Sequence, residues 1–233
     1  MRKFFEKLYK GSRENFLSLV FDNLKNKKRM FIVTANPEAF MFGKENEEIA
    51  ELLLNEKTTV VADGIGIVKG GKKIGVEIEE RIPGVDIAEK LFEFGNELEK
   101  TIFLLGAKLE VIEALKNVLA EKYPNLKVVG AVDGYVEDKD RVFEEIKALS
   151  PDICLVALGI PAQELLIYKH LDAFSKGIFV GVGGSFDVLS GSKQRAPQFF
   201  INHNIEWLYR ILKEPSRIKR FYDGNIKFLF KLK

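Results

Sequence analysis

The chain has 233 residues, 46% hydrophobic and 30% charged, which suffices for one sizeable core or a core with a small appendage and does not suit a disordered or fibrous chain. Apolar runs such as Ile153 to Leu158 are too short to span a bilayer, and the opening residues, Met1 to Lys7, do not read as a signal peptide; one cysteine, Cys154, and two histidines rule out an internal disulfide and leave no structural zinc site, the pattern expected of a cytosolic protein. The net charge of +2 is uneven, with nine Lys/Arg against three Asp/Glu in residues 1–30, eight against three in residues 205–233, and −9 between them, so both ends suit an anionic surface or ligand or are merely solvated lysine-rich termini.

In chain order, residues 1–29 form a basic segment with a helical pattern near 14–26. A strand is expected at 30–34, a helix near 46–54 and a second strand at 58–62. Helix 85–99 and strand 101–105 follow. Leu109, Ile112, Leu115, Val118 and Leu119 then keep helical spacing within 108–122, and Pro124-Asn125 closes that helix. Strand 127–131, helix 139–149, strand 152–158, helix 161–172 and strand 177–182 complete the alternation. Strands alternating with helices at this rhythm predict an α/β fold with a mostly parallel sheet. After about residue 200 a helical pattern carries Trp207, Leu208, Ile211 and Leu212 up to Pro215, and residues 226–233 read equally as strand or helix.

In such sheets ligands sit beyond the carboxyl ends of the strands. Those ends carry Thr34-Ala-Asn36-Pro37, Asp63-Gly64, Gly106, Asp133-Gly134-Tyr135, Gly159 to Glu164, and Gly183-Gly184-Ser-Phe-Asp187. Glycine lets backbone approach a ligand, and free amides at the next helix start hold phosphate. Together these ends point to a nucleotide pocket. The dinucleotide fingerprint fails: after Gly64 and Gly66 the third glycine, Gly70, is one place late, and after Gly181 and Gly183 its place holds Phe186. No P-loop lysine pattern occurs, so NAD and ATP are disfavoured. Asp138-Lys-Asp140 has a metal-like D-x-D spacing but reads better as a helix start.

Several segments occur in a telling order: Thr34-Ala-Asn-Pro-Glu38, Ala62-Asp-Gly64, Arg81-Ile-Pro-Gly-Val-Asp86, Phe103-Leu-Leu-Gly106, Gly159-Ile-Pro-Ala-Gln-Glu164, Val182-Gly-Gly-Ser-Phe-Asp187, Lys193-Gln-Arg-Ala-Pro197, and Glu206-Trp-Leu-Tyr-Arg210 through Glu214-Pro-Ser-Arg217. From about 30 to 222 the chain resembles the WecG/TagA/CpsF glycosyltransferase family. The resemblance implies a Rossmann-like domain with a C-terminal membrane-associating appendage. It implies an inverting, metal-independent transferase that needs no cofactor. The enzyme would move an N-acetylmannosamine-type sugar from a UDP donor to polyprenyl-diphosphate-linked N-acetylglucosamine, at the inner face of a bacterial membrane, for a teichoic-acid-like polymer. Many members act as oligomers.

Inverting transfer needs a base for the acceptor hydroxyl and donors for the departing diphosphate. Asp63 fits the base by its strand-end position and matches the base proposed for the family; the alternative is a cap on the turn into Gly64. Thr34 and Asn36 are candidates to bind acceptor or orient the base, against Asn-Pro turn chemistry. Gln163 and Glu164 match the donor-site motif, against ordinary helix-start polarity. Gly134, Tyr135, Gly183, Gly184 and Asp187 are candidates for the nucleotide pocket, with Tyr135 either stacking on a base or packing. Guanidinium groups fork onto phosphate oxygens, which makes Arg81 and Arg195 candidates in the domain. Arg210, Arg217 and Arg220 join them in the appendage, where the resemblance suggests that they reach the active site when the tail docks. Trp207, Leu208, Ile211, Ile218, Phe221 and Phe228 beside these cations fit an interfacial segment, or else a helix packed on the core.

The first 30 residues, with Phe4, Phe5, Leu8 and Tyr9 among basic residues, depart from the family, as do Asn202, His203 and Asn204. The expected division is a basic helical segment (1–29), a catalytic α/β domain (30–197) and a basic amphipathic appendage (198–233). The acidic middle and glycine-ended strands disfavour nucleic acid as partner. A non-catalytic binding module for a UDP-sugar or lipid diphosphate is the alternative to an enzyme. Abundant Lys and Glu with three Gln hint at a heat-tolerant source.

Overall fold

Helices α1 (Arg2–Lys7) and α2 (Arg13–Lys25) precede strand β1 (Arg29–Ala35). Next come α3 (Pro37–Glu45), α4 (Glu47–Leu54), β2 (Thr58–Ala62), α5 (Ile65–Lys73), α6 (Gly84–Glu97), β3 (Thr101–Gly106), α7 (Leu109–Lys122), β4 (Lys127–Val132), α8 (Lys139–Leu149), β5 (Ile153–Ala157), α9 (Ala162–His170), β6 (Gly177–Gly181) and α10 (Ser185–Leu189). The tail comprises α11 (Gln198–Asn202), α12 (Glu206–Lys213), α13 (Arg217–Phe221), a π-helical turn (Tyr222–Ile226) and α14 (Lys227–Lys231). The structure, a computed structural model, describes residues 1–232, with the side chains of Arg217, Arg220 and Asp223 outside the description.

The strands pair in the order β2-β1-β6-β5-β3-β4, every pairing parallel. Alternate residues feed opposite faces. Phe31, Val33, Phe103, Leu105, Cys154 and Val156 enter one core, and Ile32, Ile102, Leu104, Ile153, Leu155 and Val180 the other. Helices cover both faces, as an all-parallel sheet requires. Cys154 is buried in β5, and burial pushes its thiol well up, which keeps it inert.

The expected strands match the observed ones to within about a residue at each end. Within the α/β domain three helices were not expected: α3, α5 and α10. In α3 the apolar residues lie all round the helix, since both its faces are covered. Asn36 nevertheless caps it, accepting from the Ala39 amide at 2.9 Å, with Pro37 at the first turn. In α5 the glycines Gly66, Gly70 and Gly71 lower helix propensity. Their absent side chains make room: a Cβ on Gly70 would stand 3.0–3.1 Å from Leu232, Phe228 and Phe5. Asp138 caps α8 through the Arg141 amide at 2.9 Å, as its position suggests, and Asp140 pairs with Lys169 and His170.

Both termini belong to the core. Phe4, Phe5 and Leu8 join one apolar cluster, and Phe16, Val20 and Leu24 the other. Leu8 bridges to Val60 of β2. The ambiguous end of the chain is helix, and Phe228 is fully buried, its ring 6.1 Å from Phe5 and 6.3 Å from Phe40. The expectation that Phe228 belongs to an interfacial face is thereby corrected. A ring that completes a core gap is removed from water by the protein itself. Among the described residues, no helix is long and apolar enough to cross a membrane.

Candidate active site

A cavity of about 660 Å³ opens beyond the carboxyl ends of β1, β2, β5 and β6, a size that suits a small-molecule ligand. The strand ends supply Thr34, Asn36, Asp63, Gly64, Gly159, Gly183, Gly184 and Asp187. The segment before α6 adds Arg81 and Gly84, and the tail supplies Glu206, Trp207, Tyr209 and Arg210. The cavity is therefore floored by the sheet and walled by the docked tail.

Asp63 leaves β2 with its amide bonded to the Ala35 carbonyl at 2.8 Å. Ile82 bonds the Ala62 carbonyl at 2.7 Å, which fixes the segment from Arg81 to Gly84 beside it. Burial raises the Asp63 carboxyl to about 6. The charges of Arg210 and Arg81 and a backbone hydrogen bond from Gly84 pull it down, and Glu206 pushes it up. A carboxylate so tuned is suited to general-base work near neutral pH.

Gln163 is almost wholly buried, and its Oε1 accepts from the amides of Gly159 at 3.1 Å and Gly183 at 2.9 Å. It thus ties the β5 and β6 loops together. Its Nε2 donates to Glu164 Oε1 at 2.7 Å. Glu164 lies off the cavity wall, 4% exposed, and its other oxygen has no partner among the described residues. Burial lifts its carboxyl to about 7, the Gln163 hydrogen bond and one within its own backbone oppose this, and Glu38 adds to it. Gly183 takes φ +51°, open to glycine at no steric cost. Thr34 is buried and donates to the Gly181 carbonyl at 3.1 Å. Asn36 spends its oxygen on the α3 cap, the turn chemistry that stood as the alternative, yet its side chain still borders the cavity. Asp187 pairs with Lys193 at 3.5 Å, and Lys193 reaches Glu214 at 3.6 Å, linking the β6 loop to the tail.

Of the arginines, Arg81 and Arg210 flank Glu206 at 3.8 and 2.5 Å. Arg195 borders the cavity but is held by Asp86 and, at 4.0 Å, Glu89. Arg217 and Arg220 fall on α13, and their side chains lie outside the described residues. Gly134 and Tyr135 are not brought to the cavity. They stand past β4 at the sheet edge, with the Gly134 amide on the Ala107 carbonyl at 2.8 Å. Tyr135 is 73% exposed, so it does not pack. His203 closes α11, its ring on the Phe199 carbonyl. Glu206, Trp207 and Tyr209 were missed as site residues. All three stand in the Glu206-Trp-Leu-Tyr-Arg210 segment that carries the resemblance, and Glu206 adds a second signal as an acid in an apolar helical stretch four residues before Arg210.

The sequence model of the family described as "Glycosyl transferase WecG/TagA/CpsF family" matches residues 6–233. A protein of Bacillus spizizenii named N-acetylglucosaminyldiphosphoundecaprenol N-acetyl-beta-D-mannosaminyltransferase is 40% identical over 197 residues, 84% of this chain and 76% of its own. A Bacillus subtilis protein of the same name is 38% identical, over 81% of this chain and 73% of its own. One from Staphylococcus aureus is 37% identical, over 87% and 79%.

Proposed function

The chain belongs to the WecG/TagA/CpsF glycosyltransferase family, and from that premise we propose that it transfers N-acetylmannosamine, or a closely related sugar, from a UDP donor to a polyprenyl-diphosphate-linked N-acetylglucosamine. The observation that carries this reading is Asp63, tuned to about 6 and faced by Arg81 and Arg210 in one cavity. Asp63 takes the proton of the acceptor hydroxyl as that oxygen bonds the anomeric carbon. The bond from that carbon to the diphosphate oxygen breaks, and UDP leaves with the electron pair. Arg81 and Arg210, with Arg195 behind them, receive the departing charge, the office a metal ion fills in other transferases. The names of the relatives specify a β-linked product, which in-line displacement yields from an α-linked donor.

The open backbone at Gly183, where nothing would stand within 4 Å of a side chain, lets a diphosphate approach closely. Thr34 and the Asn36 amide face the acceptor side. The protein is peripheral to the inner face of the membrane. The lipid-linked acceptor in the relatives' names supports this, as do Leu212, Ile218, Leu229 and Phe230, exposed among the basic residues of the tail. In this reading residues 30–197 carry the donor and residues 198–233 complete the site.

The test is UDP release from UDP-N-acetylmannosamine with a short-lipid diphosphate-N-acetylglucosamine acceptor, in EDTA. Acceptor-dependent turnover by the wild type, lowered by about 10³ in Asp63→Asn, is expected. Full turnover in Asp63→Asn would remove Asp63 as base. UDP binding without turnover of any UDP-sugar would leave a binding module.

A further inference from the structure

Among the described residues, Glu206 is the only polar side chain of the tail that folding buries, at 8% exposure. Its two oxygens serve different arginines. Oε1 accepts from Nη2 of Arg210, on the same helix, at 2.5 Å. Oε2 stands 3.8 Å from Nη1 of Arg81, on the segment beside Asp63. A buried carboxylate is costly unless it is paired, so this pairing joins the tail to the domain beside Asp63, in addition to the more exposed Lys193–Glu214 and Lys231–Glu45 pairs at 3.6 and 3.0 Å.

The grip on Arg81 is loose. A separation of 3.8 Å is an ion pair but not a hydrogen bond, and among the described residues Arg81 spends none of its N–H donors on protein. Arg210 is half exposed. Both guanidiniums border the cavity that Asp63 borders. With Asp63 and Glu206 ionised, the four charges cancel before any ligand arrives. An incoming diphosphate then competes with Glu206 for the same donors.

Resting on the donor reading of this cavity, we propose that Glu206 is a positioning residue that presents Arg81 and Arg210 to the donor's diphosphate and neutralises them until the diphosphate displaces it. A mere anchor and a displaceable anion differ in sign. Losing an anchor weakens anion binding, whereas removing a competing charge of unchanged shape strengthens it.

The experiment compares the full-length wild type with Glu206→Gln. Calorimetry measures binding of inorganic pyrophosphate and of UDP. The single tryptophan, Trp207, stacked on Phe221 at 4.3 Å, reports tail docking by its fluorescence. We expect unchanged Trp207 emission and about three- to tenfold tighter pyrophosphate and UDP binding. The acid limb of the kcat/KM profile should also move to lower pH, because Asp63 keeps Arg210, Arg81 and the Gly84 amide but loses the push from Glu206. Equal or weaker pyrophosphate binding overturns the proposal. So does altered Trp207 emission with the limb moving to higher pH, the sign of an undocked tail that has taken Arg210 away. Absence of pyrophosphate binding in both proteins overturns it too. A wild type that binds pyrophosphate but turns over no UDP-sugar defeats the transferase reading alone, and the pyrophosphate comparison still decides on Glu206.

Discussion

Asp63 carries an energetic penalty that its proposed role explains. The folded protein holds its carboxyl near 6 against an ordinary 3.8, so the native state binds the proton more tightly than the unfolded chain does. Stability therefore falls as pH rises from about 4 through about 6, and the full cost, about 3 kcal/mol, is present above that window. Asp63→Asn is expected to be inactive yet more stable at pH 8 by up to about 3 kcal/mol, with no gain near pH 3.5. Thermal unfolding at the two pH values checks this. Activity has the opposite slope: kcat/KM should fall as pH drops through about 6, as the base is protonated. Glu164, raised to about 7 by burial, predicts a further contrast. Glu164→Gln keeps an acceptor for the Gln163 amide, so it should raise the melting temperature at pH 8 and retain UDP affinity, which thermal shift with and without UDP would measure.

At the scale of elements, the α5 glycines and α14 form one device. Gly70 lets Phe228 and Leu232 approach, and Lys73 caps the approach by donating to the Leu229 carbonyl at 3.0 Å. Phe228→Ala removes a fully buried ring and should cost about 3–5 kcal/mol. Because that ring fastens the tail, the loss should appear as altered Trp207 emission and reduced turnover at temperatures below global unfolding. Unchanged turnover would mean that α12 holds its place without α14. The same packing explains why α5 was not legible: its glycines read as a loop until the partner that needs them is in place.

At the scale of the whole molecule, the tail has two faces. One is spent on Phe5, Phe40 and Asp63's surroundings, and the other leaves Phe230 77% exposed. Phe230→Glu should lower co-sedimentation with anionic phospholipid vesicles while leaving UDP release with a soluble short-chain acceptor unchanged. Equal vesicle binding would place membrane contact elsewhere.

The strand–helix rhythm, the six strand positions, the glycine-ended strands and the family were all legible in the sequence. Each rests on local periodicity, turn chemistry or ordered motifs. Asp63 stood out for the same reason, since a strand end is a local feature. The sequence did not reveal which strand ends are neighbours. The strand order separates Gly134 and Tyr135 from the cavity and brings β2, β1, β6 and β5 together. Nor did it reveal that Phe228, on a basic amphipathic tail, is core, because amphipathicity does not distinguish a membrane from a protein surface. Glu206 shows the difference most plainly. Its charge is one letter in the sequence, but its place between Arg81 and Arg210, 125 and four residues away, exists only once the tail has folded back over the sheet.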